Sequence, residues 1–271
     1  MATTLYTVTA STRSPGKARK LKELLPNVKT TEITLDDGAE LEKEVEKYDI
    51  VIQLADCDHL QGTKAILDGM RARTEKTGYA PALYHASGGA FLFNDKMDGY
   101  PSGIGMSDLD SDRINAIPVS KPLPFGVYGT ATGKLHDHKL GNQTSMPVPR
   151  LIYVSVKRKG VGQIGPGENL WKISQVDDVA ELFMAVLEDG TKGHGKHGFY
   201  FADGGQVPAH CVFEVMVDTL YSMGLSEKPV PNRYTEEELE KYKVFGVQPS
   251  KQLVKEQEVR VGLLNTGVRS F

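Results

Sequence analysis

Cysteine is nearly absent. Cys57 and Cys211 are the two cysteines in 271 residues, and they stand too far apart to form a CxxC pair. That excludes a disulfide framework and points to a reduced, cytoplasmic protein. Charge of one sign is lacking as well: the formal net charge is -3, with no block of like charges. Neither nucleic acid nor an anionic membrane is therefore an expected partner. No apolar run approaches the ~20 residues of a membrane span. The opening MATTLYTVTASTRSPGKARKLKELL holds no apolar core of a signal peptide. HExxH, GxxxxGK[ST] and GxSxG do not occur.

What is present is ordinary for a folded chain. Charged residues make up 25%, hydrophobic ones 39%, and the mean hydropathy is -0.32, which excludes disordered and collagen-like readings. Twenty-eight glycines and 14 prolines suggest many loops. The length suits one large domain or two small ones.

The first ninety residues alternate between two periods. Leu5–Ala10 is a β-branched run ended by Ser-Thr-Arg-Ser-Pro-Gly, a strand and turn. Ala18, Leu21, Leu24 and Leu25 have the spacing of one helix face. A second strand is expected over 28–34. Asp36-Asp37 then signals a helix start, and Leu41 with Val45 supplies an apolar stripe. Asp49–Ala55 is short and mostly apolar, as a buried parallel strand should be. A helix over 60–77 ends at Gly78, and a fourth strand is expected over 81–87. Strand and helix in alternation, with linkers of a few residues, predict an α/β fold with a parallel sheet and crossover helices.

From Phe93 to Pro149 the regularity fades into Gly, Pro, Asp and Ser. Helices are expected again over 148–159, 176–188 and 209–224, and from Thr235. A short strand is expected over Gly198–Phe201. The expected division is a nucleotide-binding domain over 1–130, a smaller α+β substrate-side domain over 131–250, and a tail over 251–271.

Parallel sheets of this kind bind ligands at the carboxyl ends of their strands. Ser11, Arg13, Asp36, Ala55, Ser87 and Gly88 fall there. Arg13 suits a nucleotide phosphate, or else a solvated helix N-terminal region. Asp56, Asp58 and His59 lack an established metal spacing, so Asp58 reads as the cap of the following helix. Ser87 either holds a substrate oxygen or closes a turn. His136, His138, His194 and His197 lie in Gly/Lys-rich segments and read as solvated loops, and no metal site is expected. Trp171 and Tyr200 have apolar neighbours and are expected to pack inside the C-terminal part. Tyr153 and Lys157 form the one YxxxK of interest; Tyr153 reads as facing a core and Lys157 as solvated.

Several runs, in order, resemble one family. These are DIVIQLADCDHLQGTKAILDGMRARTEKTGYAPALYHASGGAFLFND, GVYGTATGKL, GQIGPGENLWKISQVDDVAELF and GKHGFYFADGG. They are similar to the NAD-dependent epimerase/dehydratase proteins, atypical extended short-chain dehydrogenases common in fungi. The resemblance spans most of residues 5–245. It implies a Rossmann-like domain binding NADP or NAD, and a smaller domain closing over an unidentified small-molecule substrate. The chain departs from the family in two places. It starts at what resembles the family's second strand, without the GxxGxxG turn, so the sheet is expected to lack its first strand. It also passes from AIPVSKPLPF to GVYG without the helix that carries the family's Tyr–Lys pair.

By this resemblance Ser87 is the candidate catalytic residue. Ser11, Arg13, Asp36, Ala55 and Gly88 are the candidate cofactor contacts, with Arg13 beside an adenosine 2′-phosphate and Asp36 accepting from the adenine amine. Weak cofactor binding is the expectation, with a non-catalytic NmrA-like nucleotide sensor or scaffold as the alternative. To close the place of the absent strand, Leu5–Ala10 is expected to pair with Asp49–Ala55.

Overall fold

The computed structural model describes residues 6–57, 59–88, 103, 105–116, 137–140, 147–163, 165–190 and 193–242. Asp58, His136, the GVYGTATGKL run and the 251–271 tail lie outside them. The chain forms two compact units, residues 1–88 with 126–143, and 89–125 with 144–271.

In the first unit the order is β1 (Thr9–Ser11), α1 (Pro15–Leu24), β2 (Lys29–Thr31), α2 (Gly38–Val45), β3 (Ile50–Gln53), α3 (Leu60–Thr77) and β4 (Ala82–His85). β1 pairs with β2 in parallel, Ala10 opposite Thr30. β3 pairs with β4 in parallel, Val51 opposite Leu83. This is the α/β architecture read from the alternating periods, with shorter strands.

One expectation is corrected. Among the described residues β1 bonds only to β2 and β3 only to β4, so the Leu5–Ala10 segment does not move in beside 49–55. The interior explains why the pairs hold without that closure. α2 packs on α3, and Leu41, Val45, Ala65 and Ile66 form a core with Ile33, Leu35, Val51, Met70 and Leu83. Gly69 permits the helix crossing: a Cβ there would lie 2.4 Å from the Glu42 carbonyl oxygen and 2.9 Å from Val45 Cβ. Gly78 ends α3 in the left-handed region at φ 76°, donating its N–H to the Thr74 carbonyl.

The second unit holds α4 (Ser111–Asn115), α5 (Pro147–Arg158), β5 (Gly162–Gln163), β6 (Leu170–Lys172), α6 (Val176–Glu188), β7 (Gln206–Pro208), α7 (Ala209–Ser222), β8 (Asn232–Arg233) and α8 (Glu236–Tyr242). β5 and β8 are parallel; β6 and β7 are antiparallel. Leu151 and Val154 of α5 pack against Phe213, Met216, Val217 and Leu220 of α7, with Val161, Tyr234 and Leu239. Trp171 packs against this core as expected, edge-on to Phe213 at 5.7 Å and 82°. Thr235 and Glu238 close α8 reciprocally: Glu238 N–H donates to Thr235 Oγ1 at 3.2 Å, and Thr235 N–H to Glu238 Oε2 at 3.0 Å.

The strand expected over Gly198–Phe201 is not formed. Phe201 N–H donates to the Asp108 carboxylate at 3.2 Å, a side chain taking the place of a ladder partner. The Tyr200 hydroxyl donates to the Gly193 carbonyl. The strand that does form, β7, lies after the Asp203-Gly204-Gly205 turn and pairs with β6.

Candidate functional site

Two contacts fix the relative direction of the strand pairs. The Tyr48 side chain, just before β3, interacts with Thr9 at the start of β1. Its hydroxyl also donates to Glu44 Oε1 at 2.6 Å. Burial, and then the Glu44 carboxylate, push the Tyr48 hydroxyl above its ordinary pKa. At the other end, His59 Nε2 lies 3.0 Å from Asp36 Oδ1, joining the segment after β2 to the segment after β3. Starts meet starts and carboxyl ends meet carboxyl ends. All four strands therefore run the same way, and their carboxyl ends form one rim.

Every candidate residue lies along that rim. Ser11 ends β1, and its hydroxyl donates to the Ile33 carbonyl, so it ties β1 to the segment after β2. Arg13 follows it, exposed and with no hydrogen bond or ion pair among the described residues. Ala55 lies two residues beyond β3, exposed; Ser87 is exposed and Gly88 half-buried, both beyond β4. The structure links Asp36 to His59 and Ser11 to Ile33, and it does not bring Arg13, Ala55, Ser87 and Gly88 into hydrogen-bond contact with one another.

His59 is the residue that the sequence reading passed over. Its Nδ1 accepts the Gly62 N–H at 2.9 Å, so His59 caps α3. With Nδ1 accepting, the network assigns the ring proton to Nε2, which donates to Asp36. Asp37, read as part of a helix start, makes no capping bond to α2. Its carboxylate accepts from the Thr34 N–H and hydroxyl, both at 2.8 Å, and the backbone bond first holds it below its ordinary pKa. Gln53 was missed as well. It ends β3 buried, and its side-chain N–H group has no partner among the described residues. A lone amide in an otherwise aliphatic strand was the available signal.

At the starts of α1 and α3 some first-turn amides are missing or already bonded. Pro15 has no N–H, Lys17 N–H turns back to Ser14 at 3.4 Å from Oγ, and Gly62 N–H goes to His59. No residue between Thr9 and Leu24 has positive φ. Pro15 and the Lys17–Ser14 bond leave the start of α1 fewer free amides than the usual anion site at such a turn.

The YxxxK pair belongs to the second unit. Tyr153 is 54% exposed on α5 and does not face the core, contrary to expectation. Lys157 Nζ stands 5.8 Å from its ring centroid, a cation–π contact on the helix surface. Among the described residues no group of three or more His, Cys, Asp or Glu could hold a metal ion. None of their helices is long and apolar enough to cross a membrane.

The fold and the rim define an α/β protein of parallel β-α-β units with a candidate ligand site at the strand carboxyl ends. No family model matches the sequence. The chain is 21% identical over 235 residues to the oxidase ucsJ of Acremonium sp, a match covering 74% of this chain and 67% of that protein. Among solved structures it is similar to dTDP-glucose 4,6-dehydratase from Bacillus anthracis str. Ames in complex with NAD. That likeness has a TM-score of 0.49 at 12% identity, covering 95% of this chain and 88% of the other.

Proposed function

We propose that the chain is an NAD(P)-binding, epimerase/dehydratase- or reductase-like protein with impaired cofactor binding. The observation that carries the reading is the shared rim, where four parallel strands deliver Ser11, Arg13, Asp36, Ala55, Ser87 and Gly88 to one side of one unit. Among the described residues neither Arg13 nor Ser87 has a side-chain partner, so Arg13 offers a guanidinium for a 2′-phosphate and Ser87 a hydroxyl for a substrate oxygen. The weakness follows from the helix ends. Charge-assisted hydrogen bonds to a pyrophosphate contribute about 1.5–3 kcal/mol each, and α1 has little to donate.

Titration calorimetry with NADPH and NADH tests the reading. Roughly millimolar binding is expected, worth about -4 kcal/mol, with NADPH favoured and the preference lost in Arg13→Ala. Micromolar affinity would overturn the impairment, and no binding of either nucleotide would overturn the cofactor assignment. The surface placement of Tyr153 and Lys157 favours a second reading, a non-catalytic nucleotide sensor or scaffold. Under it, binding persists without hydride transfer.

A further inference from the structure

The net charge of -3 conceals an uneven distribution. No acidic residue precedes Glu23, and Arg13, Lys17, Arg19, Lys20 and Lys22 stand within ten residues, interspersed with Ser, Pro, Gly, Ala and Leu. Those ten residues carry +5, so the other 261 carry -8. Arg13 precedes α1, the other four cations lie on it, and Lys29 opens β2 just beyond. All six are exposed. Ala18 is buried and Leu21 and Leu24 are half-buried, so α1 lies on its unit by that side. Arg19, Lys20 and Lys22 stand on the others.

Local electrostatics oppose this arrangement. Lys17 sits in the first turn of α1, which holds no acid to complement the positive end of the helix dipole. Lys17 and Lys20 are three apart, as are Arg19 and Lys22, and like charges so placed repel. None of the six cations has an ion pair among the described residues, whereas Lys47, Lys64, Arg71, Arg73 and Lys76 of the same unit each meet a carboxylate. Acids on α1 would relieve both effects. A helix that keeps cations there gives up local stability, as binding surfaces do.

The extent of the patch selects its partner. α1 has ten residues, a length of about 15 Å. A nucleic-acid duplex or an anionic leaflet continues past that length and meets the rest of the chain, whose charge is -8. That repulsion acts within a Debye length, ~8 Å at physiological salt. A short acidic segment ends where the patch ends and meets only attraction. We infer that α1 is a docking surface for a short acidic segment of another protein, rich in Glu and Asp. About five extended residues span it at ~3.3 Å each. The surface runs from Arg13 to the far end of α1 and does not depend on the nucleotide reading.

Titration calorimetry and amide spectra of the full chain test this with an end-blocked Glu-Asp-Glu-Glu-Asp-Glu peptide. One peptide should bind per chain at about 50 mM salt, and about tenfold more weakly at about 200 mM. The amide resonances of residues 17–23 should shift, and those of α3 should not. Arg19→Glu with Lys22→Glu should weaken binding by about tenfold or more. Lys64→Glu with Lys76→Glu makes the same change in net charge and should alter it less than about twofold. Equal weakening by the two pairs would reduce the contact to overall charge and overturn the docking surface. Tighter binding of duplex DNA or of phosphatidylserine vesicles than of the peptide would overturn it too, making a phosphate surface the partner. Shifts of the α1 resonances with protein concentration alone would make a second copy the partner and overturn it equally. Should a charge-reversed variant fail to fold, the parent chain decides, since peptide-induced shifts away from α1 would sink the assignment.

Discussion

His59 holds two segments at once: Nδ1 accepts from the first turn of α3, and Nε2 donates to Asp36 beyond β2. One imidazole thereby sets the start of a helix and the position of a carboxylate at the rim. The arrangement requires the neutral ring, since Nδ1 must keep its lone pair. Leu35 packs under the same corner, where a Cβ on Gly62 would meet Leu35 Cβ at 2.8 Å.

Replacing His59 by Ala should cost about 1 kcal/mol of stability, the usual loss for a helix cap. Replacement by Asn should restore most of it, because Asn also caps, while leaving Asp36 untethered. Urea denaturation of the three proteins checks the order. Equal loss in both variants would show that Asp36, and not the cap, carries the effect.

Gly69→Ala opposes two effects on α3. Alanine gains up to about 1 kcal/mol of helix propensity over glycine, but its Cβ would sit 2.4 Å from the Glu42 carbonyl. Overpacking of this kind costs about 1–3 kcal/mol, and the obstacle is backbone. Net destabilisation is expected, read as a lower melting temperature. A rise would mean that α2 moves away without loss.

Gln53→Leu should separate stability from ligand affinity. The buried side-chain N–H group has no partner among the described residues, and an unsatisfied buried group costs about 1–3 kcal/mol. The leucine variant should be as stable as the parent or more so in denaturant. If the amide serves a bound nucleotide, NADPH affinity should fall at the same time. Loss of stability without ligand would show that Gln53 is already bonded in the free protein.

In the second unit, Arg158 grips Glu238 with both ends of its fork, Nε to Oε1 at 2.7 Å and Nη2 to Oε2 at 2.9 Å. It also donates to Asn232 Oδ1 at 2.7 Å and lies 5.0 Å from the Tyr234 ring centroid. The guanidinium holds the Glu238 carboxyl below its ordinary value of 4.5. A lowered folded pKa means stability that is present above the unfolded pKa and lost as pH falls through the folded one. Acid unfolding of this unit should therefore steepen below about pH 4.3 and flatten in Glu238→Gln. Arg158→Met should cost about 2–3 kcal/mol at neutral pH, since Arg158 is nearly buried and Glu238 only partly so.

At alkaline pH the same corner responds in the opposite direction. Burial pushes the Tyr234 hydroxyl up to about 12. A raised folded pKa gives stability that is intact below about pH 10, the unfolded value, and lost as pH rises through 12. Phenolate absorbance should show one tyrosine ionising late or only with unfolding, and Tyr234→Phe should remove it. An unchanged titration in that variant would place the late tyrosine elsewhere.

Much of the first unit was legible in order. Alternation of β-branched runs with stripes such as Ala18, Leu21 and Leu24 specifies strand and helix locally, because burial on a sheet repeats every two residues and on a helix every 3.6. Gly78 was readable as a stop for the same local reason. The rim residues were legible too, since parallel crossovers leave strand carboxyl ends on one side. The strand Gln206–Pro208 was not, because its partner Leu170–Lys172 is remote in sequence and Gly198–Phe201 looked more strand-like by composition. Tyr153 misled because α5 carries apolar residues on both faces; Leu151 and Val154 took the core.

By itself, then, the sequence of the first unit determined which segments become strands and helices, their crossover order, and which residues follow the strand ends. Those properties depend on side-chain period and connection length, which are local. Only the tertiary structure decided that β1 and β3 do not pair with each other, that His59 takes the cap and Asp36 together, and that Glu42 and Gly69 meet. Each of those depends on which groups distant in sequence arrive next to one another. No local period encodes that.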